Sequence, residues 1–319
     1  MKRYVISILP LLDIILSPFI CISALLMWLV RRVGIRNMRL SRYIFLKIGV
    51  FPIRNHYYEP LFDYRKLKVS LREDRFLPGI DLNLQGQLEL INKFHYNNEL
   101  TQITIERDGL DFYYHNGSYE SGDAEYLYNM IRFYKPSRII EIGSGNSTLM
   151  AIRAIRQNMQ EDSSYNCEHI CIEPYEMSWL EETSVKVIRR KVEDLDNSFF
   201  NRLEQNDILF IDSSHIIRPQ GDVLFEYLEI IPKLNPGVIV HIHDIFTPRD
   251  YLDEWVLEDV RFWNEQYLLE AFLSCNREFK IIGALNYLKH NYFQEISKCC
   301  PILEMEPYRE PGAFWMVKN

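Results

Sequence analysis

The hydrophobic positions of the chain form one continuous run and a later series of short alternating runs. Between Arg3 and Arg31 the only charged residue is Asp13, so a helix here is long enough to cross the ~30 Å hydrocarbon core of a bilayer. From about residue 110, short apolar runs alternate with helical patterns. This alternation predicts an α/β fold with a doubly wound, mostly parallel sheet whose ligands lie at the carboxyl ends of the strands.

These patterns predict three regions: a membrane-anchoring segment with a basic collar (1–50), a connecting or lid region with proline turns (51–110), and a catalytic domain (111–319). In the catalytic domain, a helix is predicted from Leu149 and another at 222–234. Strands are predicted at 138–143, 169–173, 185–188, 207–212 and 238–243, with 279–284 and 313–317 completing an edge as an antiparallel pair.

Proline complicates the N-terminal segment. Pro18 lacks an N–H donor and disfavours helix at Ser17, so a break or kink is expected there. Cations flank both ends of the segment, which favours keeping both ends on the cytoplasmic side. The stretch 11–32 resembles the re-entrant membrane hairpin of bacterial monotopic phosphoglycosyl transferases. A helix–break–helix hairpin and a kinked single span therefore both stay open.

Charge separates the two ends of the chain. The net charge is −8, but residues 1–50 carry +7, which leaves −15 for the rest. An acidic main body argues against a nucleic-acid partner, whereas basic and apolar residues together indicate a membrane lipid surface. Six scattered cysteines show no disulfide framework and indicate a reducing, cytoplasmic compartment.

The clearest local motif is a glycine turn. Gly143 and Gly145 follow the first predicted strand of the sheet and precede a helix, which lets a ligand approach the backbone and the helix N-terminus. Glu173 ends the next strand, where a carboxylate can accept both ribose hydroxyls of a nucleoside. A dinucleotide fingerprint would require glycine where Thr148 stands, which disfavours NAD.

Four motifs occur in order: Glu141-Ile-Gly-Ser-Gly-Asn-Ser-Thr148, Cys171-Ile-Glu-Pro174, Ile208-Leu-Phe-Ile-Asp-Ser-Ser-His215 and Pro236-Gly-Val-Ile-Val-His-Ile-His-Asp244. Together they resemble class I S-adenosylmethionine-dependent methyltransferases, in the branch of macrolide-sugar O-methyltransferases and cephalosporin-hydroxylase-like proteins. The resemblance implies a seven-stranded Rossmann-like sheet and S-adenosylmethionine as cofactor. The residues that it implies for cofactor binding are Glu141, Gly143, Ser144, Gly145, Asn146, Ser147, Glu173, Glu193, Asp212 and Ser213.

A second constellation lies at the ends of the fourth and fifth strands. Asp212 and Asp244 are expected to converge there, and two hard oxygen ligands suit Mg²⁺. Related sugar methyltransferases carry a metal on the first of these aspartates and on an acidic pair after the fifth strand. In this chain, that pair is replaced by His243 followed by Asp244. The predicted metal ligands are therefore Asp212, His243 and Asp244, for Mg²⁺ or another divalent cation. The histidine in place of a carboxylate also leaves open that no metal binds. Simple capping of turns by the two carboxylates is the alternative.

His215 follows Asp212 by three residues, the spacing of the proposed general base in similar sugar methyltransferases. Neutral histidine can take a hydroxyl proton near pH 7, so His215 and Asp212 are the predicted catalytic residues. His241 is expected to lie deeper, satisfied by a hydrogen bond. A zinc site at Cys167, His169 and Cys171 has no usual ligand spacing. Residues 261–267 open a helix whose aromatic residues suit either packing or a glycan.

The leading hypothesis is a membrane-attached O-methyltransferase at the cytoplasmic face of a bacterial inner membrane. Its expected partners are a glycan or glycolipid acceptor and the membrane lipid surface, and the sequence leaves a homo-oligomer open. The alternatives are a metal-dependent hydroxylase or hydrolase on the same fold, and a non-catalytic cofactor-binding scaffold of a glycan-assembly complex. Fold alone does not decide the acceptor.

Overall fold

The computed structural model describes residues 2–319, so Met1 of the predicted anchor lies outside it. The chain divides into two compact units, 1–68 and 69–319. The boundary falls inside the region 51–110, which the sequence treats as one connection. Residues 69–110 belong with the sheet because several of their apolar side chains, among them Leu90, Ile91 and Leu100, are buried in its core.

The first unit contains α1 (Lys2–Val33) and α2 (Arg39–Ile48). The expected break at Pro18 is wrong, because α1 continues through that residue. Pro18 cannot donate to the carbonyl of Ile14, but the Ser17 hydroxyl donates to the same oxygen at 2.9 Å and satisfies it. Among the described residues, α1 is the one helix long and apolar enough to cross a membrane, over Ile8–Val33.

The second unit is built on a seven-stranded sheet in the order β3-β2-β1-β4-β5-β7-β6. All neighbours are parallel except β7, which is antiparallel to β5 and β6. The antiparallel pairing of β6 with β7 is the one that the sequence predicts. The strands are β1 (Arg138–Ile142), β2 (Glu168–Ile172), β3 (Lys186–Ile188), β4 (Ile208–Ile211), β5 (Ile239–Ile242), β6 (Phe279–Ala284) and β7 (Phe314–Lys318).

Helices cover both faces of this sheet. They are α3 (Leu84–Ile91), α4 (Asn97–Leu100), α5 (Asp123–Tyr134), α6 (Asn146–Glu161), α7 (Asp222–Phe225), α8 (Glu265–Leu273), α9 (Leu285–Asn291), α10 (Phe293–Ile296) and α11 (Pro301–Met305). Successive strand residues bury themselves on opposite faces: Ile139 and Phe210 join one core, Ile140 and Leu209 the other. Burial on both faces explains why the strands read as continuous apolar runs.

Two predicted helices differ in detail. The helix expected over 222–234 is α-helical only in α7, then continues as a π-helical turn (Glu226–Ile230) and a 3₁₀ turn (Ile231–Lys233) that contains Pro232. The helix expected from residue 261 begins only at Glu265, because residues 261–264 form a loop.

Candidate functional site

The glycine turn lies where β1 and β4 end side by side. Gly143 has φ +74°, which disfavours any residue with a side chain. A Cβ atom at this position would also collide with the carbonyl oxygen of Asp212, since Asp212 N–H bonds to the Ile142 carbonyl at 2.8 Å. The fold itself therefore requires glycine at 143.

Gly145 is different, because the protein leaves the space above it free. Its backbone is extended, and a Cβ atom there would meet only the methyl group of Met177, at 3.7 Å. Helix α6 starts at the next residue, Asn146, whose side-chain amide donates to Ser118 Oγ at 2.8 Å. Glycine at 145 therefore suits a ligand that approaches the N-terminus of α6.

Glu141 and Ser147 lie beneath the turn. Glu141 Oε1 accepts from Ser147 Oγ at 2.6 Å, and Oε2 accepts from Thr148 Oγ1 at 2.8 Å and pairs with His169 Nε2 at 2.9 Å. All four side chains are buried. Since the protein already engages both carboxylate oxygens, the geometry gives Glu141 and Ser147 a supporting role at the turn.

A cavity of about 500 Å³ opens beside the turn. Five of the sequence-predicted cofactor residues line it: Gly143, Glu173, Glu193, Asp212 and Ser213. Glu173 is held firmly, because its Oε1 accepts hydrogen bonds from the backbone N–H groups of Tyr175 and Glu176, each at 2.9 Å. The structure therefore gathers carboxylates from the ends of β2, β3 and β4 around one space.

His215 stands among three carboxylates at the edge of that cavity. Its Nε2 lies 3.3 Å from Asp212 Oδ1 and 3.4 Å from Asp244 Oδ2, and its Nδ1 bonds to Glu265 Oε2 at 2.8 Å. The backbone of His215 is left-handed, with φ +59°, and its carbonyl accepts from the N–H groups of Asn264 and Glu265. The start of α8 thus fixes both the backbone and the ring of this histidine.

The carboxylates govern the charge of this cluster. Burial alone would lower the pKa of His215, but hydrogen bonds to Asp212 and Glu265 and the charge of Asp244 raise it well above its usual value. Burial raises the pKa of Asp244, whereas the pKa of Asp212 is lowered because His243 and His215 outweigh its burial. In this arrangement a protonated His215 is shared between Asp212 and Asp244.

The metal-ligand set expected from the sequence changes in one member. Ligand atoms of Asp212, His215 and Asp244 all lie within 4.8 Å of one another, whereas His243 is outside this group. His243 Nε2 is 3.5 Å from Asp244 Oδ1, and its ring is buried against Tyr119 at 5.1 Å. The left-handed backbone at His215 brings its ring next to both carboxylates. His243 as a cation ligand stays a prediction. The donor set, one imidazole and two carboxylates, fits a divalent cation.

Two other histidine expectations have mixed outcomes. His241 lies deep in the sheet as expected, but the expected hydrogen bond is wrong: neither ring nitrogen has a partner among the described residues. Its ring stacks on Phe210 at 4.1 Å, and burial lowers its pKa well below the usual value, so it stays neutral. His169 groups with Cys171 and Glu141 at metal-ligand distances, without Cys167.

Sequence reasoning missed three residues of the site. Glu265 holds His215 Nδ1, Trp263 packs on the His215 ring at 4.3 Å between ring centroids, and buried Glu226 accepts from Ser213 Oγ at 3.0 Å. Burial raises the pKa of Glu226 well above its usual value. Glu265 is fifty residues from His215, and no spacing rule connects them; the aromatic residues of 261–267 were the one available signal.

Comparison with known proteins gives matches to the part of the chain that contains this site. Residues 140–245, which run from β1 past Asp244, match a family model described as "Methyltransferase domain". An uncharacterised protein of Archaeoglobus fulgidus is 31% identical over 173 residues, which cover 50% of this chain and 76% of that protein. Residues 140–245 therefore belong to the methyltransferase domain family. The methyltransferase resemblance seen in the sequence is supported over this segment.

Two solved structures are similar to this methyltransferase at low identity. One is an O-methyltransferase from Bacillus cereus in complex with SAH, with 13% identity, a TM-score of 0.36, and coverage of 73% of this chain and 91% of that one. The other is the plantazolicin methyltransferase BpumL in complex with SAH, with 10% identity, a TM-score of 0.37, and coverage of 75% and 96%.

The cavity of the methyltransferase fits the cofactor of its class. S-Adenosylmethionine carries a sulfonium charge and ribose hydroxyl donors, and the cavity offers the carboxylates of Glu173, Glu193 and Asp212. The open space above Gly145 leaves room for the cofactor against the N-terminus of α6. When bound, S-adenosylmethionine supplies an electrophilic methyl group.

Proposed function

We propose that this methyltransferase is membrane-attached and transfers the methyl group to a sugar hydroxyl of a glycan or glycolipid precursor, at the cytoplasmic face of a bacterial inner membrane. One observation supports O-methyl transfer best. Asp212 belongs both to the cavity beside the glycine turn and to the cluster around His215. An acceptor hydroxyl beside His215 would therefore lie next to the methyl donor.

His215 is the general base in this proposal. Because the neighbouring carboxylates raise the pKa of His215, its Nε2 must first give up a proton. The neutral imidazole then accepts the hydroxyl proton at Nε2, while Glu265 holds the N–H group at Nδ1. The imidazolium that results is the form that the charges of Asp212 and Asp244 stabilise. Removal of the proton makes the oxygen nucleophilic enough to attack the methyl carbon, and the carbon–sulfur bond breaks as the carbon–oxygen bond forms.

A divalent cation would be held by Asp212 and Asp244, where it would lower the pKa of a bound hydroxyl. His215 Nε2 cannot serve as ligand and base at once, and the proposal assigns it the proton. Of the metal-dependent alternatives, a hydroxylase is less well supported, because the sites of non-haem iron hydroxylases usually combine two histidines with one carboxylate. Here one histidine faces two carboxylates.

Membrane attachment rests on the first unit. The helix over Ile8–Val33 reaches a mean hydropathy of 2.2, and none of that stretch is buried within the protein. Arg31 and Arg32 end α1, and α2 adds Arg39, Arg42 and Lys47. Basic residues next to an apolar helix favour the cytoplasmic side and anionic headgroups. Uninterrupted helix through Pro18 favours a single span over a hairpin. The glycan acceptor rests on the sequence resemblance and on this anchor.

The proposal is tested with full-length protein in detergent, S-adenosylmethionine tritiated at the methyl group, and a lipid extract of bacterial inner membranes. Label should move into the organic phase with wild type and not with His215→Ala. His290→Ala, which changes a histidine in α9 outside the His215 cluster, serves as the control. Label transferred only to water-soluble acceptors would contradict a lipid-linked glycan. Full activity of His215→Ala would remove the base assignment, and activity that resists chelation would remove the cation.

A further inference from the structure

An apolar groove lies in the first unit, at the C-terminal end of α1. It has a volume of about 880 Å³ and separates one face of α1 from the segment 52–56. Ala24, Leu25 and Trp28 form the α1 wall, at the three- and four-residue spacing of a single helix face, and Ile53 stands opposite. Such a groove suits a hydrocarbon chain.

The open end of the groove is lined with cations that lack enough partners. Arg32 and Arg54 line it, and Arg31 is adjacent in sequence. One carboxylate, Glu59, serves two of them: it pairs with Arg31, and its Oε1 lies 3.8 Å from Arg54 Nε. Among the described residues, the guanidinium group of Arg32 contacts only the ring of Trp28, at 5.0 Å. Three arginines and one carboxylate at this end of the groove leave an excess of positive charge.

Two donors in this cluster are left unused. The Nε atoms of Arg31 and Arg54 are shielded from water and have no hydrogen-bond partner among the described residues. Buried polar groups normally find partners, and an unmet guanidinium N–H is well matched to a phosphate oxygen. The unmatched positive charge of this cluster therefore suits an anion at the end of the apolar groove.

We propose that this groove binds one anionic glycerophospholipid, with an acyl chain along Ala24, Leu25 and Trp28 and the phosphate against Arg32 and Arg54. The expected position of the groove in the bilayer agrees with its charge. Trp28 and the arginines lie at the end of the apolar helix, where lipid headgroups lie beside a membrane span. A free phosphate would leave the apolar wall unused, and a neutral lipid would leave the arginines unmatched. This inference rests on the membrane attachment proposed above but not on methyl transfer.

The test uses the full chain reconstituted into bilayers with equal parts of phosphatidylcholine and phosphatidylglycerol, then extracted in mild detergent for analysis of the lipid that remains bound. Wild type should retain phosphatidylglycerol in preference to phosphatidylcholine. Arg32→Ala with Arg54→Ala should lower that preference by about 25-fold, on the basis of about fivefold per arginine. Arg39→Ala with Arg42→Ala removes the same charge from α2, outside the groove, and should change it less than about twofold.

Equal losses in both double variants would show diffuse surface attraction and overturn the site, as would an unchanged preference in the Arg32 and Arg54 variant. Retention of a lipid-linked glycan in place of phosphatidylglycerol would also overturn it, in favour of the acceptor. A wild-type chain that does not remain with the bilayer would overturn membrane attachment itself. An unchanged S-adenosylmethionine affinity in each variant verifies that the catalytic unit remains folded.

Discussion

Two groups of charged side chains flank the cofactor cavity and differ in how fully the protein uses them. Beneath the glycine turn, Glu141 and His169 are 2% and 4% exposed, and short hydrogen bonds occupy both carboxylate oxygens. At the edge, Asp212 and Asp244 are 33% and 16% exposed and share His215 through contacts of 3.3 and 3.4 Å. A saturated buried carboxylate holds structure, whereas a partly exposed and loosely paired one can still exchange partners with a substrate.

The largest effect is expected at the edge group. His215→Ala should reduce methyl transfer by about 10²–10⁴-fold, because it removes the proposed proton acceptor, while S-adenosylmethionine affinity is retained. Turnover and calorimetric titration on the same preparation measure the two quantities. Loss of affinity together with turnover would place His215 in cofactor binding and would break the comparison.

The two glycines of the turn should separate stability from binding. Gly143→Ala should lower the free energy of unfolding by about 3 kcal/mol, since φ is +74° and the Asp212 carbonyl blocks a methyl group. Gly145→Ala should cost less than about 1 kcal/mol, yet weaken cofactor binding by about tenfold or more, because its methyl group enters the free space. Urea unfolding and calorimetry distinguish them; equal effects on both quantities would contradict the separation.

Glu141→Gln should act on stability rather than on chemistry. It disturbs the pairing with His169, so the free energy of unfolding should fall by about 3 kcal/mol, measured by urea denaturation. The folded variant should still bind S-adenosylmethionine. Unchanged stability with lost binding would instead return Glu141 to the direct cofactor contact expected from its sequence motif.

The smallest effect concerns the pH dependence of stability. Burial raises the pKa of Glu125 to about 7, although N–H groups of Gly122, Ile302 and Leu303 oppose the shift. Between its ordinary value of 4.5 and about 7, the folded protein binds a proton that the unfolded chain does not, so this group's contribution to stability falls as pH rises. Glu125→Gln removes this dependence. The free energy of unfolding of wild type minus that of the variant should therefore fall from pH 5 to pH 8. Parallel curves of stability against pH would contradict the assignment.

The sheet could be predicted closely because its strands are short apolar runs bounded by polar residues, and the antiparallel β7 followed from the late runs. The local sequence pattern could not reveal how the helix tolerates Pro18. The Ser17 hydroxyl supplies the hydrogen bond that Pro18 cannot donate, and α1 continues without a break. The pattern could not pair Glu265 with His215, because tertiary packing makes that contact. The approach of the His215 ring to Asp244 involves two left-handed residues, His215 and Asp244 themselves, a backbone state that sequence spacing does not specify.

The measurement that tests the central claim most directly is calorimetric titration of S-adenosylmethionine into full-length wild type and Glu173→Gln. Glu173 lines the cavity, and backbone N–H groups hold its carboxylate there, so its charge should contribute to cofactor affinity. The account predicts one site per wild-type chain and about tenfold weaker binding in the variant, which corresponds to loss of a charge-assisted hydrogen bond. No binding to wild type, or equal binding to both proteins, would contradict it.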